Sequence, residues 1–531
     1  MWARGIYRAV IMLAVLAGTS LDAQAQKRGG IFTLSHIDSP PSPSIQEEAT
    51  SSVTFPFMAI YNNLVLYDQH QPINSFATIV PELATQWAWS TDGKALTFSL
   101  RQGVKWHDGK PFTSADVKCT WDMVSGLEPN KIRKSPRKLW WDNLAKITVS
   151  GDYEVTFHLN RPQPSFIALL ATGWSPVYPC HVSSDTMRTK PIGTGPFRFV
   201  EFKRNEIIRL ARNDNYWKPG LPYLDGIEWR IMPSRSTRTL AFIAGNVDMT
   251  NPSDVTAALL RDIHNGAPQA QCVLRPVNVS TNVIINRDAP PFDNPDLRRA
   301  VALTIDRAAF NRILSEGEAQ IGAAMLPPPE GQWGMPQAML ETLPGYGPDV
   351  SKNREEARAL MRKHGYGPDN RLKLKVFTRD IPTFRDPALL MSDQMREIYI
   401  DSEVEIADTT LFYNRVFRKE YTIGVNLTGS SLDDPDQNFY ENYACGSLRN
   451  YAGYCNKVLE ADFARQSQEV DIEKRRRMVW EIERKLAEDV ARPIIVHDRR
   501  GACWHPYVKN MSIMLNSVYN GWRWEDVWLD K

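Results

Sequence analysis

The stretch ALTFSLRQGVKWHDGKPFTSADVKCTWDMV, residues 95–124, combines a strand pattern, a polar turn and a helix start. Apolar and polar residues alternate over 96–100, which predicts a half-buried β-strand. Thr113, followed three residues later by Asp116, resembles a capping box, so we expect a helix to begin there. The stretch therefore predicts a strand and a helix joined by a polar turn.

Within the turn, His107 and Asp108 are adjacent, which raises three interpretations: a catalytic dyad, a ligand-binding finger or a polar turn. Neighbouring side chains of an extended segment point apart, which disfavours a dyad. The sequence also indicates no nucleophile or metal ligand to act with them. We therefore expect Asp108 and Gly109 to form the turn and Trp106 to pack it.

The rest of the chain mixes further strands and helices. In ITVSGDYEVTFHLN, residues 147–160, a Gly-Asp pair separates two alternating runs and predicts a hairpin. Apolar stripes and capping residues predict helices over 294–314, 353–365 and 471–489. This mixture indicates an α/β protein, and a length of 531 residues predicts two or three lobes.

Composition excludes several classes of protein. The chain has 43% hydrophobic and 23% charged residues, which is ordinary for a globular protein and argues against disorder. A formal net charge of +2 is too small to predict binding to nucleic acid or to an anionic membrane.

The first 25 residues have the pattern of a cleaved secretory signal. Arg4 and Arg8 precede the apolar run AVIMLAVLAG, and cleavage is predicted after Ala25. The run is too short to span a bilayer comfortably, and no cysteine follows it to carry a lipid anchor. We therefore expect a soluble, exported mature protein, with the periplasm as its location.

The six cysteines are predicted to form disulfides, because their number is even and an exported protein meets an oxidising environment. No C-x-x-C pair suggests zinc. Cys445 and Cys455 enclose a Gly- and Asn-containing loop, which predicts a local bridge. We also predict the pairs Cys119–Cys180 and Cys272–Cys503, although the connectivity of these four residues stays open.

An enzyme is the main alternative class. The chain contains no H-E-x-x-H, G-x-S-x-G or Walker A motif, and none of its nine histidines are spaced four apart. The run DDPDQN begins like a calcium loop, but Phe439 and Cys445 stand where glycine and glutamate are required. We therefore expect no catalysis, no cofactor and no metal site.

Six segments together resemble family 5 extracytoplasmic solute-binding proteins, the dipeptide, oligopeptide and nickel receptors of ABC importers. They follow one another along almost the whole mature chain. They are LATQWAWSTDGKALTFSLRQGVKWHDGKPFTSADVKCTWDMV (83–124), KPIGTGPFRFVEF (190–202), NDNYWKPGLPYLDGIEW (213–229), AFIAGNVDM (241–249), PPFDNPDLRRAVALTIDR (290–307) and LTGSSLDDPDQNFY (427–440).

The resemblance implies a two-lobed α/β periplasmic binding protein fold of the large type, with an extra subdomain in the first lobe. Lobe one would comprise residues 26–280 and 496–531, and lobe two residues 281–495. The chain would cross between the lobes near 278–286 and near 494–498. A Cys272–Cys503 bridge would then join the two parts of lobe one close to the hinge.

The resemblance also implies a binding site. In dipeptide receptors of this family, an aspartate after a T-G pair binds the α-amino group, and an arginine in a T-R-x-Y segment binds the carboxylate. Here FTRDI retains the arginine as Arg379, with Ile381 in place of tyrosine. LTGSS retains Thr428 and Gly429, but Ser430 replaces the aspartate.

The serine at position 430 affects which solutes the site can bind. A neutral serine cannot compensate a buried ammonium group as a carboxylate does, so ordinary free-amine dipeptides are disfavoured. Asp433 or Asp434 could substitute if the loop bulges. Otherwise the residues favour a modified or longer peptide, or another anionic solute bound by Arg379.

Two further assignments stay open. Thr194 and Gly195, in IGTGPF, match a family segment whose backbone approaches the cleft, but a purely structural turn is an equal alternative. Arg379 could instead form a surface salt bridge with Asp380.

The sequence thus predicts a monomeric periplasmic receptor that delivers a peptide or peptide-like solute to an inner-membrane ABC permease. A receptor for an opine, a sugar or a metal chelate is the alternative, followed by a secreted hydrolase. A chaperone-like or adhesive role is not separated from transport by any residue.

Overall fold

The structure is a computed structural model that describes residues 26–128, 132–252, 254–520 and 522–531. The predicted signal peptide, residues 1–25, lies outside the described residues. No helix within the described ranges is long and apolar enough to cross a membrane.

Seventeen β-strands are described. They are β1 (Ile31–His36), β2 (Val65–Tyr67), β3 (Ile79–Pro81), β4 (Ala84–Trp89), β5 (Ala95–Leu100), β6 (Leu144–Val149), β7 (Glu154–Leu159), β8 (Phe197–Lys203), β9 (Ile207–Arg212), β10 (Gly226–Ile231), β11 (Gln271–Ile285), β12 (Leu372–Arg379), β13 (Ile400–Ala407), β14 (Ile423–Gly429), β15 (Ile494–Trp504), β16 (Val508–Lys509) and β17 (Trp528–Leu529).

Sixteen α-helices are described with them. They are α1 (Ser51–Phe57), α2 (Ser114–Ser125), α3 (Phe166–Leu170), α4 (Ser184–Met187), α5 (Arg235–Ile243), α6 (Ala257–Gly266), α7 (Pro295–Thr304), α8 (Arg307–Ser315), α9 (Gln337–Leu340), α10 (Val350–Lys363), α11 (Pro382–Arg396), α12 (Thr409–Phe417), α13 (Pro435–Asn442), α14 (Lys457–Gln468), α15 (Ile472–Glu488) and α16 (Ser517–Asn520).

The strands form three larger sheets. A mixed sheet in the order β1-β10-β9-β8 contains strands from the N-terminal half, and β4-β5-β7-β6 form a separate antiparallel sheet. A five-stranded sheet has the order β13-β12-β14-β11-β15, in which β12 runs parallel to both of its neighbours. The two antiparallel pairs β2-β3 and β16-β17 complete the described strands.

Strands β11 and β15 run from one hydrophobic core to another. In β11, Val277 and Val279 pack in a core built from the N-terminal half and the C-terminal tail, whereas Val283 and Ile285 pack in a core of the middle segment. Because β11 and β15 pair along their length, the two cores share a two-stranded connection. The lobe limits at 280, 281, 495 and 496 remain predictions.

Residues 95–124 have the predicted local structure. Strand β5 spans Ala95–Leu100, and Thr113 caps helix α2 in a capping box with Asp116. Trp106 is buried, as expected. His107 hydrogen-bonds to the backbone of Gly195, whereas Asp108 pairs with His181 at 2.7 Å, so the two adjacent side chains contact different partners.

Two helix predictions are corrected in detail. The predicted helix over 294–314 is divided at Ile305, because Asp306 turns out of the helix and caps α8 by accepting the Ala309 N–H at 2.8 Å. Helix α10 begins at Val350 and is capped by Asp349, rather than by Asn353.

All six cysteines are joined in disulfides. The pairs are Cys119–Cys180, Cys272–Cys503 and Cys445–Cys455, the same pairs that we predict from the sequence. Cys272 and Cys503 face each other on β11 and β15, at the end of these strands that lies in the N-terminal part of the fold.

Candidate functional site

A small cavity lies where the N-terminal half, the middle segment and the C-terminal tail meet. Its volume is about 50 Å³, enough for only a few water molecules. Its walls combine charged, aromatic and small polar side chains from all three parts of the chain. They are Ile37, Ala49, Thr50, Ser51, Ser52, Val277, Val279, Arg379, Thr383, Phe384, Tyr413, Leu427, Arg449, Asp498, Arg500 and Tyr519.

Arg379 ends strand β12 and lies in this wall with its side chain 4% exposed. Its Nη2 lies 2.7 Å from Asp38 Oδ2, and its Nε donates to Thr409 Oγ1 at 3.2 Å. The alternative of a surface salt bridge to Asp380 is wrong, because Asp380 pairs with Arg385 at 3.1 Å instead.

Asp38 follows β1 and belongs to the N-terminal part of the fold. It accepts hydrogen bonds from the hydroxyls of Ser52 and Thr409 as well as from Arg379. Burial acts to raise the pKa of Asp38, but the charges of Arg379 and His36 and the two hydroxyls outweigh it and hold the pKa below its usual value. Asp38 is therefore an ionised carboxylate opposite Arg379.

Aromatic rings flank the Arg379 guanidinium. Its carbon lies 4.4 Å from the centre of the Phe384 ring and 5.5 Å from that of Tyr413. Both rings are buried and both line the cavity. This geometry holds the cation by its interaction with the ring faces while leaving it able to bind an anion.

Two more arginines line the same cavity. Arg449 forms an ion pair with Glu441, and Arg500 lies 3.4 Å from Asp498. Burial raises the pKa of Asp498, although Arg500 opposes the shift. With Arg379, the wall therefore holds three guanidinium groups, each beside a carboxylate, so a solute anion would bind by replacing one of these partners.

The end of β14 and the loop that follows it contact the cavity wall through Tyr519. Gly429 lies so close to Tyr519 that a Cβ on it would fall 2.1 Å from the ring. Thr428 Oγ1 accepts a hydrogen bond from Arg492 at 3.1 Å. Ser430 Oγ lies 2.5 Å from the Leu432 carbonyl, and Ser430 is absent from the cavity wall.

Asp433 and Asp434 do not line the cavity that contains Arg379. Asp434 caps helix α13 and forms a two-point ion pair with Arg475 of α15, at 2.8 and 2.9 Å. Asp433 lies in the wall of a second cavity. The structure thus brings neither carboxylate to Arg379, and a part for them in binding the same solute stays a prediction.

Thr194 and Gly195 pack inside the N-terminal part of the fold. Thr194 Oγ1 donates to Asn62 Oδ1 at 3.0 Å, and the Gly195 N–H donates to the Ile60 carbonyl at 2.9 Å. A Cβ at Gly195 would lie 2.5 Å from the Ile60 carbonyl carbon. Neither residue lines the Arg379 cavity, and the contacts match the structural alternative.

Asp38 and Thr409 are not indicated by any pattern in the sequence. Each is an ordinary polar residue in a loop or at a helix start, and no motif distinguishes it. Asp38 and Arg379 are 341 residues apart, so only the tertiary fold brings them together. Within the described part of the chain, no three His, Cys, Asp or Glu side chains are grouped so that they could bind a metal ion.

Two α/β cores joined by paired strands, with a charged and aromatic cavity where they meet, define the two-lobed class of solute-binding proteins. The chain belongs to family 5 of this class. The family model described as "Bacterial extracellular solute-binding proteins, family 5 Middle" matches residues 78–450.

Similar proteins agree with this membership. Di/tripeptide-binding protein 2 of Pseudomonas aeruginosa (strain UCBPP-PA14) is 26% identical over 482 residues, which cover 84% of this chain and 85% of that protein. The Haemophilus influenzae OppA complex with RPPGFSPFR has a TM-score of 0.84 at 18% identity and covers 96% of this chain and 100% of that one. AgaA of A.tumefacien R10, in complex with agropinic acid, has a TM-score of 0.80 at 23% identity, with coverage of 94% and 99%. These likenesses confirm the two-lobed α/β fold.

Proposed function

We propose that this protein is the periplasmic receptor of an ABC importer, which captures a peptide or peptide-like solute between its lobes and delivers it to a membrane permease. Family membership and the similarity to a di/tripeptide-binding protein support this role. The protein has no catalytic step in this proposal, since capture and release require only reversible lobe closure.

The observation that carries the proposal is the pairing of Arg379, which lines the cavity, with Asp38, which lies 2.7 Å from it but is not itself in the cavity wall. These opposite charges come from the middle segment and the N-terminal half, respectively. A zwitterionic solute can bind its carboxylate to Arg379 and its ammonium group to Asp38, replacing their mutual contact with two charge-assisted hydrogen bonds. Such a solute would connect the two lobes.

The size of the cavity supports binding by lobe movement. About 50 Å³ is smaller than any dipeptide, so a solute of this class requires the lobes to separate before it binds. Strands β11 and β15 supply the connection about which they would move, because both cross from one core to the other. Closure would then bury the solute among Phe384, Tyr413 and Tyr519.

A second candidate is a receptor for a non-peptide anionic solute such as an opine. The three arginines of the cavity wall each have a carboxylate partner that a solute anion could replace, and Ser430 supplies no carboxylate for an ammonium group. The likeness to AgaA, a protein solved with agropinic acid, supports keeping this candidate. It differs from the peptide proposal in requiring no positive group on the solute.

The test is a thermal-shift and calorimetric screen of the mature chain with dipeptides, tripeptides, glutathione, opines, sugars and metal chelates. A true solute raises the melting temperature, because it binds the folded state alone. A micromolar or tighter peptide supports the first proposal, and an opine without peptide binding supports the second. Hydrolytic turnover of the added compound with no stabilisation would refute both.

A further inference from the structure

A second cavity of about 540 Å³ lies apart from the Arg379 cavity and shares no lining residue with it. Strand β2 and the loop that follows it form one side, and the proline-rich connector before α9 forms the other. The loop before α13 and two side chains of α15 complete the wall. The cavity is lined by Tyr67, Ile73, Asn74, Ser75, Phe76, Ala168, Pro328, Pro329, Glu330, Gly331, Gln332, Trp333, Gly334, Pro336, Leu432, Asp433, Asp434, Arg476 and Trp480.

Asp433 gives this cavity an uncompensated carboxylate. Its Oδ2 accepts the Gln332 N–H at 2.7 Å, and its carbonyl oxygen accepts the Trp333 Nε1–H at 2.9 Å. Its Oδ1 is buried without a hydrogen-bond partner, and Asp433 has no ion-pair partner, among the residues described. Burial without a counter-charge favours the protonated form of this carboxyl, so a cation that reached Oδ1 would stabilise the ionised form.

The neighbouring cations are already engaged by other groups. Arg475 pairs with Asp434, and Arg476 pairs with Glu473 and donates to the Gln332 carbonyl at 3.0 Å. The third lining carboxylate, Glu330, accepts a hydrogen bond from Gln320 and lies 3.9 Å from Arg499, so Asp433 is the lining carboxylate left without a cation among the described residues. The charge left over at this cavity is therefore negative.

The remaining wall is apolar and aromatic. Trp480 is fixed in place because its Nε1–H donates to the Trp333 carbonyl at 3.0 Å, and its half-buried ring packs against a small core while also lining the cavity. Ile73 and Phe76, on the opposite side, are 57% and 51% exposed. Large apolar side chains exposed beside a concave site are typical of ligand-binding surfaces.

We propose that this second cavity binds an organic cation with an aromatic or aliphatic body, its ammonium group facing Asp433 and its body packing on Trp480 and Phe76. The ligand would contact the connector and the β2 loop together. This site shares no lining residue with the solute cavity, so the two ligands would not contact the same side chains, although both cavities are formed by the same two predicted lobes.

The protonation of Asp433 supplies a second test. Burial raises the pKa of Asp433 to about 7, and the charge of Asp434 acts in the same direction, although the Gln332 N–H opposes them. A proton therefore competes with a cationic ligand below this pH. Affinity should rise as the pH increases from 6 to 8 and then level off, whereas a neutral ligand would show no such rise.

Calorimetry of the mature chain with tryptamine tests the proposal, with the neutral analogue tryptophol as the matched ligand. We expect tryptamine to bind at pH 8, to bind more weakly at pH 6, and to exceed tryptophol in affinity about tenfold or more. Asp433→Asn should remove this preference for the cation. The exposed control Asp369→Asn should leave it unchanged.

Two further variants separate this site from the solute cavity. Phe76→Ala alters an exposed side chain and should fold normally, while weakening tryptamine binding several-fold. Arg379→Ala should weaken binding of the transported solute and leave tryptamine binding intact. No tryptamine binding at millimolar concentration, or binding that Arg379→Ala removes and Asp433→Asn does not, would overturn the proposal.

Discussion

The guanidinium of Arg379 and the carboxylate of Asp38 lie 2.7 Å apart, with side chains only 4% and 11% exposed, although they are 341 positions apart in the sequence. Arg379 ends a strand of the middle segment, and Asp38 follows the first strand of the chain. The pair therefore joins two parts of the fold at a cavity between them. A solute carboxylate that binds Arg379 must compete with Asp38, which couples binding to the contact between the lobes.

Replacing Arg379 should weaken binding of the transported solute. Arg379→Ala removes a desolvated charged hydrogen bond, worth about 1.5–3 kcal/mol, so we expect affinity to fall about tenfold to a hundredfold. Calorimetry with the solute found in the screen measures this change. Arg385→Ala, at an exposed arginine in the helix that follows, is the matched control. Equal affinities for the wild type and Arg379→Ala would remove Arg379 from the site.

Asp38→Asn distinguishes a zwitterionic solute from an anionic one. If Asp38 binds the ammonium group of a peptide, the variant should bind a free-amine dipeptide about tenfold more weakly and its N-acetylated form with unchanged affinity. Asn retains the shape of the side chain and removes its charge. Comparing both ligands by calorimetry provides the internal control. An equal loss for the two ligands would contradict an ammonium contact at Asp38.

Gly429→Ala should destabilise the protein, because a Cβ would fall 2.1 Å from the Tyr519 ring. Overpacking of this kind costs about 1–3 kcal/mol, and displacing Tyr519 should also lower solute affinity. Gly367→Ala is the control, since nothing lies within 4 Å of a Cβ built there. Chemical denaturation measures both variants. A Gly429→Ala protein as stable as Gly367→Ala would show that the ring moves freely.

Local features were predictable from the sequence because neighbouring residues determine them. Thr113 and Asp116 form the capping box within one helix turn, and Cys445 and Cys455 close a short loop. The partner of Arg379 was not predictable in this way, since Asp38 meets it only after both cores have formed. The family resemblance indicated Arg379 itself, but no sequence pattern indicates which carboxylate faces it.

The positions of the two carboxylates in the loop at 430–434 could not be predicted from the sequence either. From the sequence, either Asp433 or Asp434 was free to replace the missing carboxylate at Ser430. In the structure, Pro435 begins α13, so Asp434 is held as its cap and is paired with Arg475. Asp433 then lies in the wall of the second cavity. Helix capping and a buried ion pair, both set by tertiary packing, determine where the two carboxylates lie.

The disulfides should differ in their contribution to stability. Cys272 and Cys503 are separated by 231 residues, and Cys445 and Cys455 by 10. In the chain-entropy model, these bridges contribute about 5 and about 3 kcal/mol. Denaturation of the two double Cys→Ala variants under non-reducing conditions measures the difference. A larger loss from removing the short bridge would contradict this order.

Glu483 should make the protein less stable as the pH rises. It is buried in α15 and accepts the N–H groups of Met325 and Met335 at 2.7 and 3.1 Å, which ties the proline-rich connector to the helix. Burial raises its pKa from the ordinary 4.5 to about 8, against the opposing effect of these N–H groups. The folded state therefore retains a proton that the unfolded state has lost, so stability falls between these two pH values.

Glu483→Gln removes this titration while it also loses one acceptor for the two N–H groups. The variant should be less stable than the wild type at pH 5, and the difference should narrow or reverse by pH 8. Denaturation at both pH values, with exposed Glu481→Gln as the control, measures the change. Because only a buried carboxyl with a raised pKa gives this narrowing, a difference that stays constant between pH 5 and 8 would show that Glu483 is ionised in the folded protein.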